Sequence, residues 1–130
     1  MAGGKRAVPS GQSLEDEVAG LGRKLGLNVQ RQVKVGRRLW GAERRIDLVL
    51  TYRESRRSIG IECKAQAARG TAEEKIPAII SDIDAWPIKG LVVFAGEGFS
   101  GNMQNYLFST GKAVAFEDLE AWLRLYFGLD

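Results

Sequence analysis

Two hydrophobic periods alternate along the chain, one typical of helices and the other of strands. Helical spacing predicts an amphipathic first helix from Ser13, its predicted N-cap, to Gly26. It also predicts a second helix after Thr71, a short third over 102–110 and a final one near the C-terminus. Period-two alternation or continuous apolar runs predict strands at 29–35, 45–50, 58–66, 91–95 and 112–116. This order predicts an α/β fold whose mixed central sheet is flanked by helices.

The two predicted strands between residues 45 and 66 bring polar side chains together on one side. In the first, alternation predicts Ile46, Leu48 and Leu50 on an apolar face and Asp47 on the opposite face. The polar segment 51–57 is short enough to be a hairpin connection to the second strand.

In the second strand, Ile59, Ile61, Cys63 and Ala65 form the apolar set. The opposite face then carries Gly60, Glu62, Lys64 and Gln66. A hairpin would place Asp47 beside Glu62 and Lys64, so two carboxylates and one ammonium converge. A salt-bridged surface hairpin is the structural alternative.

Residue composition narrows the chemistry available at this spot. The chain has no histidine and one cysteine, which excludes Ser-His and Cys-His catalysis, the usual zinc ligand sets and an internal disulfide. Carboxylates suit a hard cation, so we expect Mg²⁺, with Mn²⁺ able to substitute. Such an ion lowers the pKa of a bound water and neutralises charge on a phosphate undergoing displacement.

The pattern Asp47, fourteen residues, then Glu62-Cys63-Lys64 resembles the signature of the P-D-(D/E)-x-K nuclease superfamily, although Ile46 replaces the usual proline. The resemblance implies a restriction-endonuclease-like core in the order helix, three strands, helix, strand. It also implies that Asp47 and Glu62 bind Mg²⁺, together with the backbone carbonyl of Cys63. Lys64 would position and polarise the attacking water in a metal-dependent nuclease acting on DNA.

The first helix offers a further acid. Glu15 and Glu17 flank its apolar stripe, so either could reach the site, and both could instead complement the helix dipole. Related nucleases, including archaeal Holliday-junction resolvases, carry a first-helix glutamate about eleven residues before the glycine that ends the helix. Glu15 and Gly26 match that spacing, which implies that Glu15 assists a metal or the water.

The run from Glu62 to Ile76 is similar to a subgroup of the same superfamily related to phage and restriction-associated nucleases. In that subgroup Gln66 and Lys75 would be additional site residues. The segment also contains Thr71 and Glu74, a capping-box pair, while Pro77 predicts either a kink or a later start of the regular helix.

Positive charge is concentrated around the candidate site. Residues 23–57 contain eleven Lys or Arg and three acids, a local charge of +8 in a chain whose net charge is +3. Such a block favours a polyanion, since phosphate neutralisation dominates non-specific affinity for nucleic acids. The predicted DNA contacts are Arg37, Arg38, Arg44, Arg45 and Lys75.

Two other function classes remain open at this point. Gly96, Gly98 and Gly101 form a G-x-G-x-x-G pattern after a predicted strand, which is typical of dinucleotide-binding domains, although only 29 residues follow it. A nucleic-acid-binding module of the same fold with no catalysis is the third class. Metal-dependent cleavage distinguishes it from a nuclease.

We expect one domain over residues 13–130, preceded by a flexible, glycine-rich arm over 1–12. The chain has no apolar run of about 18 residues and no secretory signal, which predicts a cytoplasmic protein. Cutting both strands of a duplex would favour a homodimer.

Overall fold

A five-stranded mixed sheet is the framework of the protein in the computed structural model, which describes residues 11–37, 43–65, 76–95 and 101–130. In chain order the elements are α1 (Gly11–Lys24), β1 (Asn28–Arg37), β2 (Glu43–Tyr52), β3 (Arg57–Ala65), α2 (Ile76–Asp84), β4 (Gly90–Ala95), α3 (Gly101–Ser109), β5 (Ala113–Ala115) and α4 (Phe116–Phe127). The strands lie in the order β1-β2-β3-β4-β5, with antiparallel pairing up to β3 and parallel pairing beyond it. The predicted α/β class is confirmed.

Helix α1 begins at Gly11, two residues before the predicted N-cap. Ser13 therefore lies inside the helix, and the prediction that it caps the N-terminus is wrong. The side chain of Gln12 donates to Asp16 one turn later at 3.3 Å, a contact that favours the longer helix. Residues 11 and 12 belong to α1 rather than to the predicted arm, whose remainder lies outside the described residues.

Two apolar layers cover the two faces of the sheet. Helices α1 and α4 pack on one face, where the largest fully buried side chains include Leu14, Val18, Leu48, Leu50, Ile59, Ile61, Leu91, Leu119 and Leu123. Helix α2 packs on the other face through Ile76, Ile80 and Ile83, and the partly buried Ile79 packs against the same cluster. Burying both faces requires the continuous apolar run that the sequence shows in β4.

Trp86, just beyond α2, fits against two glycines that face each other across β3 and β4. A Cβ atom at Gly60 would lie 2.8 Å from the Trp86 ring, and one at Gly90 would lie 2.7 Å from it. Only glycine leaves room for the ring at these positions. The two glycines therefore set how closely the α2 side packs on the sheet.

The strand order bears on the dinucleotide-binding alternative. The sheet contains two antiparallel pairs, β1 with β2 and β2 with β3, and its strands follow the sequential order β1-β2-β3-β4-β5. Both features differ from the parallel, doubly wound sheet in which that glycine pattern binds a dinucleotide. Gly96 and Gly98 lie outside the described residues, while Gly101 begins α3. The described topology therefore does not support that alternative.

Candidate active site

The hairpin of β2 and β3 ends its regular pairing next to Asp47. Backbone pairing runs from Tyr52 opposite Arg57 to Leu48 opposite Ile61. One residue further along β2, the carboxylate of Asp47 accepts the backbone N–H of Cys63 at 2.9 Å. A side-chain oxygen thus satisfies a strand donor, which fixes the carboxylate against β3.

Glu62 lies beside this carboxylate on the face of β3 that is directed toward α2. Its side chain is 20% exposed, and its Oε2 atom is 3.7 Å from the Nζ atom of Lys64. Burial and, secondly, the negative charge of Asp47 raise the pKa of Glu62 from 4.5 to about 7. Two acids are therefore close enough to repel each other at neutral pH, and one lysine is only a partial counterion.

Cys63 lies between Glu62 and Lys64 in sequence, but its side chain points to the opposite face of β3. Its side chain is 5% exposed and packs in the α1 and α4 layer with Ile59 and Ile61. Burial and the surrounding acids raise the pKa of the thiol well above its usual range. Strand alternation in β3 is therefore confirmed, and only the backbone of Cys63 faces the candidate site.

Alternation in β2 does not hold. Leu48 and Leu50 pack in the α1 and α4 layer, but Ile46 packs in the α2 layer, so the prediction that Ile46 shares their face is wrong. Strand β1 changes faces opposite this part of β2. Val29 contacts the α1 and α4 layer, whereas Val33 contacts the α2 layer.

One irregular point in β1 is Gln32, whose φ of 52° is in the left-handed region. A second irregularity, a register shift against β2, lies further along the strand between Lys34 and Gly36. Pairing of Arg31 with Leu48 and of Val33 with Ile46 places Gln32 across from Asp47. A left-handed residue breaks the alternation of side chains, and both strands switch faces there.

Helix α1 approaches the same point through Glu15. The Gln32 side-chain nitrogen lies 3.1 Å from Glu15 Oε1 and 3.5 Å from Asp47 Oδ1. Arg31 lies 3.5 Å from Glu15 and 2.7 Å from Asp16, and it lowers the pKa of Asp16. One glutamine side chain thus separates Glu15 from Asp47.

Two of the five predicted DNA-contacting cations form ion pairs within the protein. Arg44 pairs with Asp82 of α2 at 3.4 Å, and Arg45 pairs with Glu43 at 3.0 Å. Arg44 also has a buried Nε atom without a hydrogen-bond partner. The side chain of Arg37 is not described, and Arg38, Gln66 and Lys75 lie outside the described residues.

Comparison with known protein families identifies the family of this chain. The model of the PD-(D/E)XK nuclease superfamily domain matches residues 6–120, which is most of the chain. The chain belongs to the PD-(D/E)XK nuclease superfamily. Membership indicates a nuclease with a nucleic-acid substrate, and such nucleases usually use divalent metals. No curated protein sequence matches the chain.

The PD-(D/E)XK candidate site is sparse in acidic ligands. Among the described residues, no three His, Cys, Asp or Glu side chains gather closely enough to hold a metal ion. Two carboxylates, a backbone carbonyl and several waters are nevertheless sufficient for Mg²⁺, which dehydrates reluctantly. Mutual repulsion of Asp47 and Glu62 is also relieved by a cation between them, so the residues present fit such an ion.

Two residues of this PD-(D/E)XK domain belong to the surroundings of the site and have no sequence signal. Gln32 is not a residue type enriched at positive φ, so nothing in the strand pattern marks it. Asp82 raises the pKa of Glu62 slightly through its charge and also pairs with Arg44. Long-range packing brings both residues to the site. Separately, no helix in the described ranges is long and apolar enough to cross a membrane.

Proposed function

We propose that the protein is a Mg²⁺-dependent deoxyribonuclease that hydrolyses phosphodiester bonds at the Asp47, Glu62 and Lys64 site. The observation that carries the proposal is the convergence of two carboxylates where β2 and β3 separate. One is fixed by the Cys63 N–H, and the other has its pKa raised to about 7 by burial and by its neighbour. A partly buried pair of like charges costs stability, and a cation-binding role accounts for its presence.

Asp47 and Glu62 would hold the divalent ion, with the backbone carbonyl of Cys63 as a further ligand. When bound, the ion supplies Lewis acidity, which makes a water more acidic and neutralises phosphate charge. The N–H of Cys63 keeps one oxygen of Asp47 occupied, so the orientation of the other oxygen is set before the ion arrives.

The ammonium of Lys64 lies 3.7 Å from Glu62, and the side chain of Lys64 is 36% exposed. An exposed ammonium at this place can donate hydrogen bonds to a phosphate oxygen or orient the attacking water. Glu15 would stabilise the same region from α1, at one side chain's distance from Asp47. Gln66, which follows β3 in sequence and lies outside the described residues, would be a further residue of the site.

The DNA backbone would lie over cations that come before and after the site residues in sequence. The proposed contacts are Arg37, Arg38, Arg44, Arg45 and Lys75. Arg45 is the most accessible of those with described side chains, at 47% exposure compared with 22% for Arg44. Phosphate contacts of this kind orient a duplex without reading its sequence.

Cleavage of a panel of labelled nucleic acids tests the proposal. The panel contains duplex, single-stranded, nicked and four-way-junction DNA and the matching RNAs, each with Mg²⁺, Mn²⁺ or chelator. We expect DNA cleavage with either metal and none with chelator. Glu62→Gln and Lys64→Ala should each reduce the rate by at least about 100-fold, the scale of a lost catalytic group.

Glu117→Gln, an equivalent change at an exposed position of α4, is the matched control and should cleave at the wild-type rate. Undiminished cleavage by purified Glu62→Gln protein would place the activity elsewhere. DNA binding without cleavage under any metal condition would identify a non-catalytic binding module instead. Size-exclusion chromatography with and without DNA measures whether two copies act together.

A further inference from the structure

Two consecutive side chains of β1 reach acids on the same helix. The guanidinium of Arg31 is 2.7 Å from Asp16, and the amide of Gln32 is 3.1 Å from Glu15. Successive side chains of a regular strand point to opposite faces of the sheet. A local break in the strand is therefore required for both contacts to form.

The break is the left-handed conformation of Gln32, with φ of 52°. Residues with a Cβ atom adopt it at a cost in free energy, and glutamine has no local hydrogen bond of the Asn or Asp kind to offset that cost. Such a conformation persists only where its surroundings hold it. Here it directs the side-chain amide between Glu15 and Asp47.

Asp47 consequently meets a donor on each of its oxygens. Oδ2 accepts the backbone N–H of Cys63 at 2.9 Å, and Oδ1 lies 3.5 Å from the Gln32 nitrogen. The Cys63 N–H holds one oxygen of the carboxylate against β3, and a second donor on the other oxygen restrains the rotation that remains. The amide is also neutral, so it steadies two acids without bringing a positive charge that would compete with a bound cation.

We infer that Gln32 is a positioning residue, strained into a left-handed strand conformation so that its amide orients the carboxylates of Asp47 and Glu15 for a divalent ion. The inference rests on the proposed function, because it assumes that Asp47 is a metal ligand. Gln32 itself touches neither metal nor substrate. Its effect is on the affinity of the ion and on cleavage at limiting metal concentration.

Gln32→Gly separates the two contributions of the residue, since glycine adopts the left-handed backbone without strain but has no amide side chain. Thermal unfolding of the metal-free variant should give a Tm at or above that of the wild type. Calorimetric titration with Mn²⁺, without DNA, should show affinity reduced by about 10-fold, the usual effect of removing a group that hydrogen-bonds a metal ligand. Cleavage should fall at low Mn²⁺ and recover at high Mn²⁺, with KM for DNA unchanged.

Gln30→Gly is the matched control, because Gln30 is exposed on the same strand. A glycine in a regular strand position should lower Tm and leave Mn²⁺ affinity unchanged, the opposite pattern. Gln32→Asn gives a second test, since asparagine tolerates the left-handed region but its amide is one methylene shorter. We expect a Tm no lower than that of the wild type and weakened Mn²⁺ binding.

Wild-type Mn²⁺ affinity in folded Gln32→Gly and Gln32→Asn proteins would overturn the inference. A wild-type protein that binds Mn²⁺ but cleaves no nucleic acid would overturn the proposed function alone, and the titrations of the variants would still decide the role of Gln32. A wild-type protein that binds no Mn²⁺ would overturn both.

Discussion

Glu62 shows how a single side chain links stability to function. Burial and the charge of Asp47 raise its pKa from 4.5 to about 7 in the folded protein. The unfolded chain loses this proton near pH 4.5, so between pH 4.5 and 7 the folded state holds more protons than the unfolded state. The free energy of unfolding therefore falls as pH rises through this window. Above pH 7 the destabilisation by the charged Glu62 side chain is fully present.

Glu62→Gln should accordingly stabilise the metal-free protein at pH 8 and have little effect at pH 5. The neutral amide removes the buried charge, and we expect a gain of roughly 1–3 kcal/mol at pH 8. Urea denaturation in chelator at the two pH values measures it, and added Mg²⁺ should raise the stability of the wild type only. Equal effects at pH 5 and pH 8 would show that the titration of Glu62 is not responsible.

Cys63 gives a second prediction at the residue scale, because its thiol is buried and directed away from the acids. Cys63→Ala should keep metal-dependent cleavage and lose about 1 kcal/mol of stability from the small cavity. The native thiol should react with a thiol reagent much more slowly than after unfolding. Rapid labelling of the folded protein, or loss of activity in a folded variant, would contradict the register of β3.

At the scale of elements, the packing of α2 on the sheet depends on two residues without side chains. Gly60 and Gly90 face each other across β3 and β4, and the ring of Trp86 occupies the space that their Cβ atoms would fill. Because Glu62 and Lys64 follow Gly60 on the same face, this contact also sets the distance between the site and α2. A displaced Trp86 would therefore disturb both packing and chemistry.

Gly90→Ala should destabilise the protein by about 1–3 kcal/mol, since the added methyl group overlaps Trp86 and Ile83. Gly20→Ala is the matched control, because a Cβ at this exposed position of α1 would have no atom within 4 Å. It should be neutral or stabilise by up to about 1 kcal/mol through higher helix propensity. Chemical denaturation of both variants checks the pair, and a stable Gly90→Ala protein would refute the packing described.

At the scale of the whole molecule, the strong positive charge of residues 23–57 is partly compensated. Acids elsewhere in the chain pair with its cations, as Glu120 does with Lys24 and Asp82 with Arg44. The positive electrostatic potential around residues 23–57 is thus smaller than the local charge of +8 suggests. Exposed cations near the site therefore contribute most to the proposed DNA binding. Arg45, two residues before Asp47 in β2, is 47% exposed although it pairs with Glu43, and it is the clearest of these.

Arg45→Glu should weaken DNA binding measured in chelator, and the slope of log Kobs against log salt should become shallower by about one. Arg53→Glu is the control, since Arg53 is exposed in the hairpin turn, six residues beyond Asp47 along the chain. Fluorescence anisotropy over a salt series compares the two. Equal losses of affinity would indicate a general charge effect instead of a DNA path over the candidate site.

The sequence by itself determined the element order, the β2 and β3 hairpin and the orientation of Glu62, Lys64 and Cys63. These features follow from local rules: side chains alternate in β3, an apolar run marks β4, and a polar segment connects two strands. The resemblance carried by Asp47, Glu62 and Lys64 also led to the correct superfamily.

Only the tertiary structure decided where alternation fails. The left-handed Gln32 and the face change at Ile46 depend on β1, β2 and α1 together, and no single segment encodes them. The same holds for the elevated pKa of Glu62, which arises from burial and from a charge fifteen residues away. Local periodicity predicts regular strands, whereas a site that gathers like charges requires a departure from regularity that long-range contacts must stabilise.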